Sequence, residues 1–296
     1  MPADVLRLPE DAWLSRATAH RARVERFAAP FLARRSAGRK HPVEDFLFTY
    51  YTEKPGRLQR WHPGTGVVLL GEAATERLGW KHHRREGDGV VFDARAFMAE
   101  RRRTVEFAHS ILAGASANPA RFSCFGLHEW AMAYKSGENG VRHDYLPLRL
   151  GAAGTDAVVE GNRIRCTHID AFRFYTPQAV GLNELQPTRE TQAAMDQPGC
   201  LHANMDLYKW AYKLSAAVPG ELLLATFELA WEIRTMDMRA SPYDLGDWGY
   251  DPIRIETAEG KAEYVELQKD FAERSAVLRG QLLDAAEGLL DAPAAR

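Results

Sequence analysis

Glu10-Asp-Ala-Trp-Leu-Ser-Arg-Ala-Thr-Ala-His-Arg-Ala-Arg-Val-Glu-Arg-Phe-Ala-Ala-Pro-Phe-Leu-Ala-Arg-Arg35 sets Trp13, Ala17, Val24, Phe27, Phe31 and Leu32 at near-helical spacing, with arginine and histidine between them. An apolar stripe of that period predicts an amphipathic helix whose basic face is solvated. Ser36-Ala-Gly-Arg-Lys-His-Pro42 then breaks it, which separates an N-terminal helix (1–40) from a main helical body (41–296).

Further helical patterns follow. Asp93 is the N-cap residue of a helix through Phe97, Val105, Phe107, Ile111 and Leu112, broken near Gly114 and Asn118-Pro119. Dense apolar residues predict a helix over 120–135, and three more cover 201–214, 220–236 and 259–290. Residues 55–92 are rich in glycine and proline and carry two short runs, Val67-Val-Leu-Leu70 and Val90-Val-Phe92, which predict loops with a small strand pair, a lip or lid in form. Leu146, Leu148 and Leu150 alternate as on an edge strand. The expected fold is mainly α, a helical domain of six or seven helices with minor β content.

With 296 residues, 46% hydrophobic and 26% charged, the chain can bury a substantial core. Lys plus Arg numbers 38 against 40 for Asp plus Glu, so a nucleic-acid site would have to be a local patch. The one stretch that offers such a patch interleaves Arg57, Arg60, Arg84 and Arg85 with Trp61, His62, Trp80, His82 and His83. Three cysteines, Cys124, Cys166 and Cys200, show no C-x-x-C spacing and cannot all pair in disulfides, which points to a reducing cytoplasm. No export signal and no membrane span are expected. Phosphate-loop, nucleophile-elbow and H-E-x-x-H motifs are missing.

Chemistry-bearing residues concentrate between 164 and 213. His202 and Asp206 stand at i and i+4 on one helix face, with Lys209 a turn further and Trp210 beside it, a stripe suited to a metal, a substrate anion or a polar seam. His168-Ile-Asp170 is an H-x-D spacing that aims both side chains to one face of an extended segment. With His202 it would make a two-histidine, one-carboxylate iron site. Glu106-x-x-His109 has the spacing of di-iron bundles, although only one such motif lies in the helices, so His109 is a supplementary ligand of an irregular site for iron or zinc. Glu129, beside His128, is a general acid or base if burial raises its pKa. Arg173 and Arg239 are the candidates for bidentate recognition of a carboxylate or phosphate.

The segments His41-Pro-Val-Glu-Asp-Phe-Leu-Phe-Thr-Tyr-Tyr51, Trp61-His-Pro-Gly64, Cys166-Thr-His-Ile-Asp-Ala-Phe-Arg-Phe174 and Gln197-Pro-Gly-Cys-Leu-His202 resemble a group of bacterial proteins identified as 3-methyladenine DNA glycosylases. The resemblance covers about residues 40–270. It implies a nucleobase-directed N-glycosylase, with DNA or a nucleobase as partner, no cofactor, an aromatic pocket and a carboxylate from Asp170, Asp206 or Asp237. Helix-hairpin-helix glycosylases open a helix with L-P-G-x-G and carry a catalytic aspartate further along. The nearest match is Val218-Pro-Gly-Glu-Leu222 followed by Asp237, with Leu222 in place of the second glycine. The alternative drawn from the residues themselves is a metal-dependent enzyme of non-haem iron type acting on a small molecule, with His168, Asp170 and His202 at its centre.

Overall fold

The computed structural model describes residues 6–291. Its long helices are α1 (Glu10–Ser36), α2 (Ala94–Ala117), α3 (Gly151–Glu160), α4 (Leu201–Lys213), α5 (Gly220–Arg239) and α6 (Ala258–Leu290). One small sheet accompanies them, with strands β1 (Leu6–Leu8), β2 (Val67–Leu69), β3 (His83–Glu86) and β4 (Gly89–Phe92). The fold is thus mainly helical with minor β content, as the periodicity predicts. Five of the expected helices correspond to α1, α2, α4, α5 and α6, whereas α3 is not among those expected and the further helical segments are short, so the chain has more helices than the six or seven expected.

By compactness the chain forms two units, one of residues 1–110, 207–228 and 278–296, the other of residues 111–206 and 229–277. These lines differ from a division at residue 40.

In the first unit the strand order is β1-β2-β4-β3, with β1 parallel to β2 and the other neighbours antiparallel. Every residue of β2 and β4 is buried, so these two strands of the region expected to form a lip belong to the core, while β3 is partly exposed. Trp13 of α1 packs with Trp61, Val67, Leu69, Ala74 and Val90, and its indole donates to the Leu70 carbonyl at 2.9 Å. Arg77 is buried among the rings of Trp13, Trp61 and Trp80, with its guanidinium carbon 4.5 Å from the Trp80 centroid. Burial penalises its charge, lowering its pKa to about 10, and the bond it donates to the Trp61 carbonyl at 2.7 Å and the π faces beside it offset part of that cost.

The basic stretch of this unit is interleaved with acids. Lys81 and His82 share Glu100, and Arg84 contacts Glu86 and Asp93. Farther along, the aromatic set Phe27, Phe48, Tyr208 and Phe227 meets at centroid distances of 5.1 to 5.5 Å.

Asp93 caps α2 as its sequence suggests, accepting from the Ala96 amide at 2.9 Å. The helix runs through Gly114 and ends at Ala117, directly before the expected breaker Asn118-Pro119. That glycine is where the backbone of Ala193 crosses: an added Cβ would lie 2.2 Å from the Ala193 carbonyl oxygen. The helix expected over 120–135 shrinks to Leu127–Met132, and the leucines at 146, 148 and 150 yield a single bridge, Leu148 to Tyr243, followed by α3.

In place of regular structure, side-chain amides satisfy the backbone between α2 and α4. Asn118 donates to the carbonyls of Ala194 and Asp196, and Asn183 brackets Cys166 by accepting from its amide and donating to its carbonyl. Among the described residues no helix is long and apolar enough to cross a membrane.

Glu53, buried in the first unit, has its pKa pushed up to about 7 by desolvation against the opposing pull of Arg57 and Arg60. A raised carboxyl pKa means the folded state keeps a proton that the unfolded chain loses near its ordinary value. Its stabilising contribution is therefore full below that value and is lost as pH rises through about 7. Glu53→Gln is expected to stabilise the protein at pH 8.5, by up to about 3 kcal/mol, and to do nothing at pH 4, in denaturant titrations at the two pH values.

Candidate functional site

The second unit concentrates ionisable groups in its interior. His128 and Glu129 sit in the turn Leu127–Met132, whose left-handed N-cap, Gly126 at φ 67°, lets the chain enter the turn tightly. Arg234 and Asp237 share a face of α5 at i and i+3, and His202 is the second residue of α4.

His128 Nε2 lies 3.1 Å from one Asp237 oxygen and 3.3 Å from the other. Arg234 Nη1 stands 2.8 Å from Glu129 and 3.5 Å from Asp237. Asp237 is wholly inaccessible, and His128, Glu129 and Arg234 are buried. Two cationic groups thus balance two carboxylates in a desolvated space, the arrangement that makes such burial tolerable.

The protonation states follow. Burial works against the His128 imidazolium, but the adjoining Asp237 carboxylate outweighs it and lifts the His128 pKa well above the ordinary value. Burial likewise opposes ionisation of Asp237, yet His128 and Arg234 bring its pKa down to about 2. His202 faces the other way: desolvation, reinforced by the charge on His128, holds it neutral with its pKa well below 6.5. Its ring stands edge-on to His128 at 4.4 Å and stacks on His168 at 5.5 Å.

His128, His202 and Asp237 each present a ligand atom, and these atoms all lie within 4.8 Å of one another. Donors at about 2.1 Å from one cation and at right angles stand about 3.0 Å apart, close to the His128–Asp237 separation. A second group of the same kind is His168, Asp170 and Asp206. There His168 Nδ1 is 2.9 Å from Asp196 Oδ1, and Gln192 donates to the other Asp196 oxygen at 3.0 Å. The other ring nitrogen, Nε2, is turned toward Asp206, 3.7 Å away.

A recess of about 20 Å³ opens onto the first group. It is lined by His128, His202, all three cysteines, Tyr264 and Gln268, among others. Cys124 Sγ is 3.7 Å from His128 Nδ1. Burial, followed by the neighbouring Cys124, pushes the Cys166 thiol up to about 11, and burial with Asp196 pushes Cys200 well above its ordinary value, so both remain protonated. Gln268 is fully buried, donates its Nε2 hydrogen to the Gly199 carbonyl, and has no protein partner for Oε1.

Gln197-Pro-Gly-Cys-Leu-His202 is explained residue by residue. Gln197 Oε1 accepts from the amides of Arg121 at 2.7 Å and Gly199 at 2.8 Å. Gly199 passes so close to Arg121 that a Cβ would lie 2.4 Å from its carbonyl oxygen. Cys200 and His202 then face the recess.

Several expectations are corrected. His168, His202 and His109 do not form one ligand set: His168 and His202 belong to separate groups, and His109 is a residue of the first unit 3.4 Å from Glu287. His168 begins the turn Ile169–Phe172 rather than an extended segment, although Asp170 still joins its group. Asp170 is gripped by Arg189 at 2.7 Å and Arg173 at 3.2 Å, so Arg173 serves a carboxylate of the chain itself. Arg239 donates to the Asp251 carbonyl at 2.8 Å and neighbours Glu263, a structural role. Glu129 is an ion-pair partner of Arg234, not a carboxyl isolated in apolar surroundings.

Asp206 keeps the company of His168. Lys209 and Trp210 belong to the first unit, where the ammonium lies 4.9 Å from the Trp210 ring centroid. Gly220 of the hairpin-like segment is also in the first unit, with its amide donating to the His62 carbonyl at 2.8 Å.

Arg234, Asp196, Arg189 and Gln268 are absent from the sequence-based candidates. Nothing in their local patterns distinguishes them; each is chosen by the partner it meets in the fold. The cysteines lack a ligand-like spacing for the same reason, since they come from three separate segments.

Comparison of the chain with protein-family models, with curated proteins and with solved structures returned no match.

Replacing Arg234 with Leu strands Glu129 and Asp237 without their shared cation, and a loss of about 3–5 kcal/mol in unfolding free energy is expected. Adding Glu129→Leu to that variant should recover part of the loss, because it removes the carboxylate that Arg234 paired while Asp237 keeps His128; a double-mutant cycle in denaturant measures it.

Proposed function

We propose that the chain is a metal-dependent enzyme acting on a small molecule, with a divalent first-row transition metal held by His128, His202 and Asp237. The reading is carried by one observation: two imidazoles and an ionised carboxylate converge within 4.8 Å in a desolvated interior, beside a recess open to only small groups. Two histidines with one carboxylate are the donor set of non-haem iron(II) sites, which leave coordination positions vacant for substrate and co-substrate. Zinc accepts the same donors.

The surroundings suit that use. Neutral His202 offers its lone pair without first losing a proton. His128 would give up its proton to hold the cation, and Arg234, 3.5 Å from Asp237, would help to keep that carboxylate ionised, as outer-sphere partners do at metal centres. The recess is large enough for a water molecule, and Gln268 Oε1 is an acceptor for it or for a substrate hydroxyl. When bound, the metal supplies Lewis acidity or redox chemistry; the chain supplies the dry pocket, the proton inventory and the orientation.

The competing reading is the nucleobase N-glycosylase of the sequence resemblance, in which Asp237, kept ionised by His128 and Arg234, would steady a cationic sugar. Elemental analysis and a base-release assay on alkylated DNA separate the two. Near-stoichiometric iron or zinc is expected in the purified protein, lost in His202→Ala and Asp237→Asn and retained in Arg239→Ala. Metal-free wild-type protein that releases methylated base would overturn the metal reading in favour of the glycosylase.

A further inference from the structure

Beside the recess lies a second, roomier cavity of about 180 Å³, lined by Asn118, Pro119, Arg121, Thr167, Leu185, Ala194, Met195 and Gln197. Arg121, Thr167 and Gln197 line both cavities, so the larger chamber and the inner recess share a wall, the neck, made of these three residues. Size and lining together restrict what fits. A cavity of about 150 Å³ accommodates a benzene-sized molecule, so the outer chamber holds a compound of a few carbon atoms. Pro119, Leu185, Ala194 and Met195 give it an apolar wall.

The charge at the neck has one sign. No carboxylate is among the residues lining either cavity, whereas Arg121 and Arg165 both are. Arg165 is paired with Glu184, but it shares that one carboxylate with Arg163, which leaves the pair of guanidiniums in excess. Arg121 is exposed, and its backbone is fixed on both sides. Its amide donates to Gln197 Oε1, and its carbonyl abuts Gly199. The anchored backbone fixes where the side chain starts, and a carboxylate or phosphate accepts two hydrogens of a guanidinium fork at once.

We infer that the second unit binds a small organic anion, its carboxylate or phosphate headgroup held by Arg121 at the neck and its short apolar body in the outer chamber. Taken as the substrate of the enzyme, this ligand rests on the metal-centre reading of the recess; its binding does not. Arg121 is on this view a specificity-determining residue, and Gln197 and Gly199 are positioning residues that act through it. The location of the headgroup at the neck sets its near end toward His128 and His202.

The test uses four probes of one chain length on the protein as purified: hexanoate, hexyl phosphate, hexanol and hexylammonium, each titrated calorimetrically against wild type, Arg121→Glu and Arg121→Lys. Saturable binding of hexanoate, hexyl phosphate or both is expected, with hexanol and hexylammonium bound at least about tenfold more weakly. The stronger of the two anions identifies the headgroup. Arg121→Glu should weaken the anion by about tenfold or more, and Arg121→Lys should restore part of the affinity.

Hexanol binding as tightly as the anions, anion binding unchanged in Arg121→Glu, or no saturable binding of either anion would overturn the inference. Metal content measured on the same samples keeps the two ideas apart. Metal-replete protein that ignores both anions refutes the anion site alone, and metal-free protein that binds them through Arg121 refutes the metal centre alone.

Discussion

The interior of the second unit is organised around one costly act, the burial of the Asp237 carboxylate with no accessible surface at all. An unpaired charge in that position would destabilise the fold by several kcal/mol, so its neighbours are constrained in kind and in place. His128 must face it from the 127–132 turn, and Arg234 must face it from the preceding turn of its own helix. Glu129 then balances the extra positive charge of Arg234. The same geometry that keeps Asp237 ionised creates a ligand set, because the charge that stabilises a carboxylate can be a proton on an imidazole or a metal cation beside it.

What holds these groups in register is mostly amide chemistry instead of secondary structure. From Asn118 to Cys200 the chain is largely turns, and its buried polar backbone is satisfied by Asn118, Asn183 and Gln197. Each of these amides both donates and accepts, or serves two partners, and so ties together segments remote in sequence. Gly114 and Gly199 permit the close crossings that such clamping needs. The recess with its imidazoles and thiols is the space these crossings enclose, and the Arg121 neck hangs from the same Gln197 clamp.

The long helices were legible in the chain because their apolar residues repeat over several turns, and the β2–β4 pair because its residues are β-branched and bounded by glycine. The single-turn helices were not, since four residues show no period, and α3 was hidden by its small, glycine-bearing sequence. Within the site, His202 and Asp206 lie on one helix yet join separate groups, and His168 and Asp170 fall in one group. The pairing of His202 with His128 and Asp237, over separations of 74 and 35 residues, is tertiary information that spacing does not encode. The cysteines show the same limit: dispersed at 124, 166 and 200, they line one recess.

The decisive quantity is the first coordination shell of the metal in the purified protein, read by X-ray absorption at its K edge. A cation on His128, His202 and Asp237 gives nitrogen and oxygen scatterers at about 2.0–2.2 Å, with imidazole multiple scattering and no sulfur. A sulfur shell at about 2.3 Å would place the metal on the cysteines of the recess, and an absence of edge signal would leave His128 and Asp237 as a purely structural ion pair; either result contradicts the proposed centre.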